Sequence, residues 1–173
     1  MSVAGEDVSV REKVLDLIRR YPGLHVREVE RQLGVSPALA SYHLRRLAEG
    51  GLLRAETHGE FLRYYPAAAG APRAGERRLL AILRRPVAAK IALLLLSEGA
   101  LANKDIALRL GISRATVSYH LHRLSDAGLL QAADERGYEL SDPDRVRRLL
   151  ASFPPAPGIL EEFADLWEDL YGP

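Results

Sequence analysis

The chain repeats one of its own segments, and this internal repeat constrains the fold more than any other feature of the sequence. Residues 33–47 read LGVSPALASYHLRRL, and residues 110–124 read LGISRATVSYHLHRL, 77 positions later and without a gap. The match continues in Gly51-Leu52-Leu53, which aligns with Gly128-Leu129-Leu130. Self-similarity at a fixed spacing predicts two copies of one small domain, each of about 65 residues.

The first helix of each copy is marked by residues that favour helix starts. Ser9 and Glu12 have the spacing of a capping box, which predicts a helix that begins at Ser9 and runs through Arg20. Pro86 occupies the first-turn position in the second copy, where the missing N–H of proline costs no hydrogen bond. We therefore expect one helix before the repeated segment in each copy.

Glycine and serine residues predict two more helices in each copy. Gly34 and Gly111 stand where a residue in the left-handed conformation closes a helix, and Asn103 is expected to cap the second helix of the second copy. Ser36 and Ser113 are expected to cap the third helices. Only two or three residues separate the second and third helices, which is helix-turn-helix spacing.

A β-hairpin is predicted after each third helix, in the place of a wing. Residues 54–58 and 61–65 read as paired strands around Gly59-Glu60, and a shorter version occupies residues 129–133 and 138–140. The predicted fold class is mainly α with small β-hairpin wings. It comprises two tandem winged helix-turn-helix domains and a C-terminal amphipathic helix.

Composition between and after the copies gives the predicted boundaries. The segment from Ala67 to Pro72 is rich in Ala, Gly and Pro, and a connecting helix is expected from Glu76 to Arg84. The predicted divisions are residues 8–66 for the first domain, 67–76 for the linker, 77–141 for the second domain and 142–173 for C-terminal helices with an acidic tail.

The repeated motif resembles the signature of prokaryotic winged helix-turn-helix regulators of the ArsR and MarR type. Both copies carry Leu-Gly-[Val/Ile]-Ser, then Ser-Tyr-His-Leu-x-Arg-Leu and Gly-Leu-Leu. Arg84-Arg85-Pro86-Val87 also resembles the opening of the first helix of ArsR-type domains, and the tandem arrangement is similar to that of archaeal winged-helix regulators. The resemblance covers most of residues 8–141 and implies a sequence-specific regulator of transcription that binds double-stranded DNA, with repression as the expected direction.

The resemblance does not extend to the metal sites of the family. Metal-sensing ArsR proteins use cysteine-rich sites, and this chain has no cysteine. We therefore expect no metal and no cofactor, and the sequence leaves a small-molecule effector open.

The third helices are expected to present the side chains that contact DNA. Apolar residues at helical spacing predict the inward face, so the opposite face is available for the major groove, where arginine pairs with guanine and hydroxyls bond base edges or phosphates. The inward positions are Ala40, Leu44 and Leu47 in the first copy and Val117, Leu121 and Leu124 in the second. The candidate contacts are Ser36, Ser41, Tyr42, Arg45, Arg46, Arg54 and Arg63 in the first copy, and Ser113, Arg114, Thr116, Ser118, Tyr119, His122 and Arg123 in the second.

The two candidate reading surfaces differ in chemistry. Arg114 and Thr116 stand where the first copy has Pro37 and Leu39. Arginine and threonine side chains can contact base edges, whereas proline and leucine offer no hydrogen bond. The second copy is therefore expected to supply more of the base readout, and the first more of the phosphate contacts.

The predicted wing tips lack the Arg or Lys that typical DNA-binding wings carry. The first tip reads His58-Gly59-Glu60, and the second reads Asp-Glu-Arg-Gly over residues 134–137. Arg63, on the returning strand, is therefore the expected backbone contact of the first hairpin, together with Tyr64 and Tyr65. Packing within the hairpin is the alternative for the two tyrosines.

Charge is distributed unevenly along the chain, although the net value is +1. All 24 basic residues lie at or before Arg148, whereas five of the 23 acidic residues lie within residues 161–169. Residues 1–153 therefore carry 24 positive and 18 negative charges, a net +6. A basic body with an acidic tail is suited to a polyanionic partner.

An extra apolar stripe predicts a subunit interface. Leu93 and Leu96 replace Asp16 and Arg19 of the first copy, and residues 159–170 repeat apolar side chains at helical spacing with acids opposite. We expect a homodimer, with closure of the same surface within one chain as the alternative. The expected interface residues are Leu93, Leu96, Phe163, Leu166, Trp167 and Leu170.

Other classes of protein are disfavoured. No apolar run reaches the ~18–20 residues that span a bilayer, and the first residues show no secretory signal, so a cytoplasmic, nucleoid-associated protein is expected. His43 and His120 are expected to pack rather than bind metal. The neighbouring serines point away from them along the helix and cannot pair with them as nucleophile and base, so we expect no enzyme. Two alternatives stay open: a chromatin protein that coats DNA without sequence preference, and a tandem winged-helix scaffold that binds other proteins.

Overall fold

The order of helices and strands is closely similar in the two halves of the chain. A computed structural model describes residues 3–133 and 137–162, together with residues 164 and 168. The chain divides into unit 1, Met1–Ala81, and unit 2, Ile82–Pro173. Unit 1 holds α1 (Val3–Arg20), β1 (Leu24–His25), α2 (Val26–Leu33), α3 (Pro37–Glu49), β2 (Leu53–His58), β3 (Phe61–Pro66) and most of α4 (Ala74–Leu83). Unit 2 holds α5 (Pro86–Glu98), α6 (Asn103–Leu110), α7 (Arg114–Asp126), β4 (Leu130–Ala132), β5 (Tyr138–Leu140), α8 (Pro143–Ser152) and α9 (Pro157–Glu162).

The turn between the second and third helices has the same geometry in both units. Gly34 and Gly111 end α2 and α6 in the left-handed conformation, with φ of 64° and 62°. A side chain with a Cβ adopts this conformation only at a steric cost, which explains glycine at both positions. The hydroxyls of Ser36 and Ser113 then accept the backbone N–H groups of residues 39 and 116, at 3.2 and 3.1 Å. These caps and closures confirm the predicted helix-turn-helix.

Two predicted helix starts are wrong. The first helix begins at Val3 rather than Ser9, since this segment holds no proline and each further helical residue adds a backbone hydrogen bond. Asn103 does not cap α6: Ala102 is the cap residue and makes no side-chain bond, and Asn103 is the first residue of the helix. The Asn103 amide bonds α7 instead, a partner that only the tertiary fold brings near.

The wing of unit 1 is a three-stranded sheet rather than a simple hairpin. Strand β3 lies in the centre, between β2 and the two-residue strand β1, and both pairings are antiparallel. In unit 2, β4 pairs with β5, and Leu101 forms a single bridge to Tyr138 at the position equivalent to β1. The hairpins were predicted, but strand β1 was not, because two residues are too few to show alternation.

The apolar stripes of the third helices lie in the two cores, as predicted. All six predicted inward positions are at most 2% exposed. Burying a side chain the size of leucine stabilises a fold by roughly 1.5–3 kcal/mol, so these stripes decide which face of each helix turns outward. The residues are Ala40, Leu44 and Leu47 in unit 1 and Val117, Leu121 and Leu124 in unit 2.

The predicted interface residues of α5 are buried within a single chain, which corrects that part of the dimer prediction. Leu93 is 0% exposed and Leu96 is 8% exposed. Helix α5 contacts α6, α7, α8, α9 and β5, all of unit 2, so its second apolar stripe is covered without another subunit. The other predicted interface residues, Phe163, Leu166, Trp167 and Leu170, lie outside the described residues.

The connecting helix α4 begins close to the wing of unit 1. Arg77 donates to the Glu56 carboxylate at 2.7 Å, and its carbonyl accepts the hydroxyl of Tyr65 at 3.1 Å. The hydrogen bond from Arg77 holds the pKa of Glu56 below its usual range.

Among the described helices, none combines the length and the apolar character that crossing a membrane requires.

A histidine caps α2 and links it to the sheet. The Nδ1 atom of His25 accepts the backbone N–H of Glu28 at 3.4 Å, and the Glu28 carboxylate accepts the backbone N–H of His25 at 2.8 Å. Burial lowers the pKa of His25, with Glu28 opposing this shift and Arg63 and Arg27 reinforcing it. The fold therefore favours the neutral ring, whose Nδ1 can accept a hydrogen bond.

We expect the free energy of unfolding to fall as pH drops below about 6.5, the ordinary pKa of histidine. A base whose pKa is lowered by folding binds protons more readily in the unfolded chain, so acid favours unfolding. The His25→Asn variant keeps a capping side chain that does not titrate, and it should lose less stability between pH 7 and pH 5. Urea denaturation followed by circular dichroism measures both proteins. Equal losses in the two would contradict the role of His25.

Candidate nucleic-acid interface

Both third helices present a polar face on the side opposite the core. Most of the predicted contact residues lie on this face, and it includes aromatic side chains: Tyr42 is 42% exposed and Tyr119 is 52% exposed. The exposed candidates are Ser36, Ser41, Tyr42, Arg45, Arg46 and Arg54 in unit 1 and Ser113, Arg114, Ser118, Tyr119 and His122 in unit 2, while Thr116 and Arg123 are half-buried.

The basic residues of α3 are paired with one carboxylate. The guanidinium groups of Arg45 and Arg46 lie 4.0 and 3.5 Å from the oxygens of Glu49. All three side chains are largely exposed, so these ion pairs contribute little to stability and are weakened by salt. The same pairs reduce the net positive charge that this part of α3 offers to a polyanion.

The equivalent arginine of α7 makes a different contact. Arg123 donates to the Tyr119 hydroxyl at 2.8 Å, and its guanidinium lies 5.6 Å from the centre of the tyrosine ring. This hydrogen bond lowers the pKa of Tyr119, and the positive charge of Arg85 lowers it further. The phenol, two guanidinium groups and their positive charge therefore lie together at the surface of unit 2, where they can bind anionic oxygens.

Substitutions at two positions accompany this difference, and one of them places His122 of α7 where α3 has Arg45. Glu49 of α3 corresponds to Asp126 of α7 in the repeat. Asp126 has a shorter side chain and lies 3.4 Å from His122. Arg123 is consequently bonded to a hydroxyl, whereas Arg46 at the equivalent position lies near a carboxylate.

The hydroxyl groups at the start of α7 are held by neighbours. Ser113 Oγ and Thr116 Oγ1 are 2.9 Å apart and share a hydrogen bond. The Asn103 amide, at the start of α6, donates to Ser118 Oγ at 2.8 Å and to the carbonyl of Arg114 at 3.2 Å. These bonds attach the two helices of the helix-turn-helix to each other and restrict the side chains that unit 2 presents to solvent.

The repeated histidines lie beneath this surface. His43 is 1% exposed, and its ring meets the edge of Tyr42 with 5.1 Å between centroids. His120 meets Tyr119 in the same way, also at 5.1 Å. Burial lowers the pKa of His120, and the positive charges of Arg85 and Arg123 lower it further, so its neutral form is favoured.

The prediction that Arg63 contacts the DNA backbone is wrong for this structure. Its side chain is 2% exposed and donates to the carbonyl of Gly23 at 2.6 Å and to Glu28 at 3.4 Å. Tyr64 and Tyr65 are also buried, as the packing alternative anticipated. The physical reason is the extra strand β1, which covers the edge of β3 that a two-stranded hairpin would leave open.

The prediction from sequence did not include two residues that lie near the candidate surface. Arg85 lies close enough to influence both Tyr119 and His120, and Asn103 bonds Ser118 directly. The sequence carried a signal for each, because the repeat places Val8 opposite Arg85 and Val26 opposite Asn103. A polar residue in one copy where the other copy has valine indicates a role that the shared fold does not require.

Comparison with known proteins agrees with this geometry. Residues 8–80 match the family described as an N-terminal HTH domain, and residues 89–132 match the bacterial regulatory proteins of the ArsR family. The chain is also 30% identical over 126 residues to an uncharacterized HTH-type transcriptional regulator of Methanocaldococcus jannaschii. That similarity covers 72% of this chain but 31% of the relative, so the chain spans about a third of the relative's length.

The family matches fall on the same two segments that the repeat and the structure define. Each segment contains the two helices, the glycine closure and the serine cap of a helix-turn-helix. The chain thus carries two consecutive helix-turn-helix domains, and the second of them is similar to those of the bacterial ArsR family.

Proposed function

We propose that the protein is a transcription regulator that binds double-stranded DNA in a sequence-specific manner. Helices α3 and α7 enter the major groove, with α7 supplying more of the base readout, and binding represses transcription by occluding the promoter. The observation that carries this proposal is the exposed face of α7, where hydroxyl, guanidinium and imidazole groups lie opposite a fully apolar inward stripe.

The chemistry of this face is suited to DNA. A single helix fits the ~12 Å width of the major groove, and arginine can bond guanine O6 and N7 at once. Arg114 is exposed at the first position of α7. Recognition helices commonly turn this N-terminal end toward the bases. The net charge of +6 over residues 1–153 adds a general attraction to phosphate.

Binding to DNA should depend on both salt and sequence. We expect fluorescence anisotropy to show a steep loss of affinity between about 50 and 200 mM salt, because binding releases counterions from phosphates. A duplex selected from genomic fragments should bind at least ~10³-fold more tightly than random duplex. A steep salt dependence without discrimination would indicate a chromatin protein instead. The absence of binding at low salt would exclude both DNA-binding roles and favour a protein scaffold.

Arginine substitutions should separate base readout from phosphate contact. Arg114→Ala should reduce the preference for the selected duplex by roughly 1–3 kcal/mol at one base pair, whereas Arg46→Ala should weaken all sequences about equally. Arg148→Ala, on the exposed face of α8, is a control with the same charge change and should leave sequence preference unaltered. Competition binding measures all three. Equal losses on every sequence for Arg114→Ala would contradict its assignment to base readout.

The apolar spacing of residues 159–170 supports a homodimer as the binding form. Because Leu93 and Leu96 are buried in the single chain, this C-terminal segment carries the proposed contact. We expect light scattering at micromolar concentration to give twice the chain mass of 19.1 kDa. Leu166→Glu should shift the protein toward the monomer, and Leu108→Glu, at an exposed position of α6, is the matched control. A monomer at every concentration would exclude the dimer.

A further inference from the structure

The Asn103 amide bonds two acceptors of different kinds on α7. Its Nδ2 atom lies 2.8 Å from the Ser118 hydroxyl oxygen and 3.2 Å from the backbone carbonyl oxygen of Arg114. A carbonyl oxygen can only accept a hydrogen bond, whereas a serine hydroxyl can donate or accept. The carbonyl therefore requires the amide nitrogen, rather than the amide oxygen, to face α7.

This orientation determines the role of the serine. Since the amide nitrogen donates to Ser118, the serine oxygen must accept, and its own hydrogen remains available for another partner. Ser118 is exposed on the same face of α7 as Tyr119 and Arg114. The serine hydroxyl, which could otherwise donate to this neighbour or accept from it, thus keeps its hydrogen for a different acceptor.

The first copy lacks this constraint. Ser41 of α3 corresponds to Ser118, but the residue equivalent to Asn103 is Val26, whose side chain has no hydrogen-bonding group. Ser41 is exposed as well. The repeat thus provides two serines at equivalent positions, of which one is oriented by an amide and the other has no amide at the equivalent place.

We propose that Asn103 is a positioning residue that makes Ser118 an outward hydrogen-bond donor to DNA. The matching partner is an acceptor on DNA: a purine N7, guanine O6, thymine O4 or a phosphate oxygen. Asn103 thereby contributes to recognition without contacting DNA itself. This inference rests on the proposed DNA-binding function and assigns the polarity of one contact within it.

A double-mutant cycle tests the coupling between the two residues. In the wild-type background, Ser118→Ala should weaken binding to the selected duplex about five- to tenfold, the loss expected for one hydrogen bond. In the Asn103→Asp background, the carboxylate accepts the serine hydrogen, and Ser118 presents only lone pairs to the DNA acceptor. Ser118→Ala should then leave affinity unchanged or raise it. Comparison within each background cancels the added negative charge and any loss of folding that the Asp substitution brings.

The unit 1 pair provides the matched control. Ser41→Ala should change affinity by the same factor with Val26 present and with Val26→Ala, because no hydrogen bond joins these side chains.

The two possible kinds of acceptor on DNA, a base or a phosphate, are distinguished by measuring binding to a panel of duplexes with single base-pair changes. A base contact alters preference at one position, whereas a phosphate contact weakens all sequences equally and reduces the salt dependence.

The outcomes separate this inference from the proposed function. If the wild-type protein binds the selected duplex and Ser118→Ala lowers affinity by the same factor in both backgrounds, Asn103 does not set the polarity of Ser118 and the inference is wrong. An unaltered affinity for Ser118→Ala in the wild-type background also overturns it, while the DNA-binding function stands. If the wild-type protein binds no duplex, the proposed function and the inference both fail.

Discussion

The turn between the paired helices of each unit decides where the candidate contacts on α3 and α7 point. Gly34 and Gly111 reverse the chain in the left-handed conformation, and Ser36 and Ser113 begin the next helix by accepting a backbone N–H. Because three residues join the helices, the second cannot rotate without losing its cap or exposing its apolar stripe. The polar face of α3 or α7 is therefore turned outward by the same turn in both units.

The two copies share this backbone but differ in the chemistry that it carries. The change from Glu49 to Asp126 leaves Arg123 bonded to a tyrosine hydroxyl, and the change from Val26 to Asn103 supplies an amide for Ser118. Neither change disturbs the buried stripes. The polar side chains of α7 are consequently bonded to one another and to α6, whereas both arginines of α3 lie near one carboxylate. This contrast supports different roles for the two units on DNA.

The wing of unit 1 shows how a short strand changes the contacts that neighbouring residues make. Pairing of β1 with β3 places Arg63 opposite His25, where it bonds the Gly23 carbonyl and the Glu28 carboxylate. The guanidinium that a two-stranded hairpin would offer to phosphate instead connects the sheet to the start of α2. Since Glu28 also completes the histidine cap, the sheet and the helix-turn-helix share one buried polar network.

The duplication, the helix-turn-helix, the hairpins and the inward stripes could all be predicted from the amino-acid sequence. Each of these is encoded locally, by helical spacing, by glycine closures and by serine caps, and the repeat gave two independent readings of the same signals. The burial of Arg63, Leu93 and Leu96 and the partner of Asn103 emerged only in the folded chain. These outcomes depend on segments that are distant in the chain, namely β1, the C-terminal helices and α7, and local sequence patterns do not specify which distant groups will cover or bond a side chain.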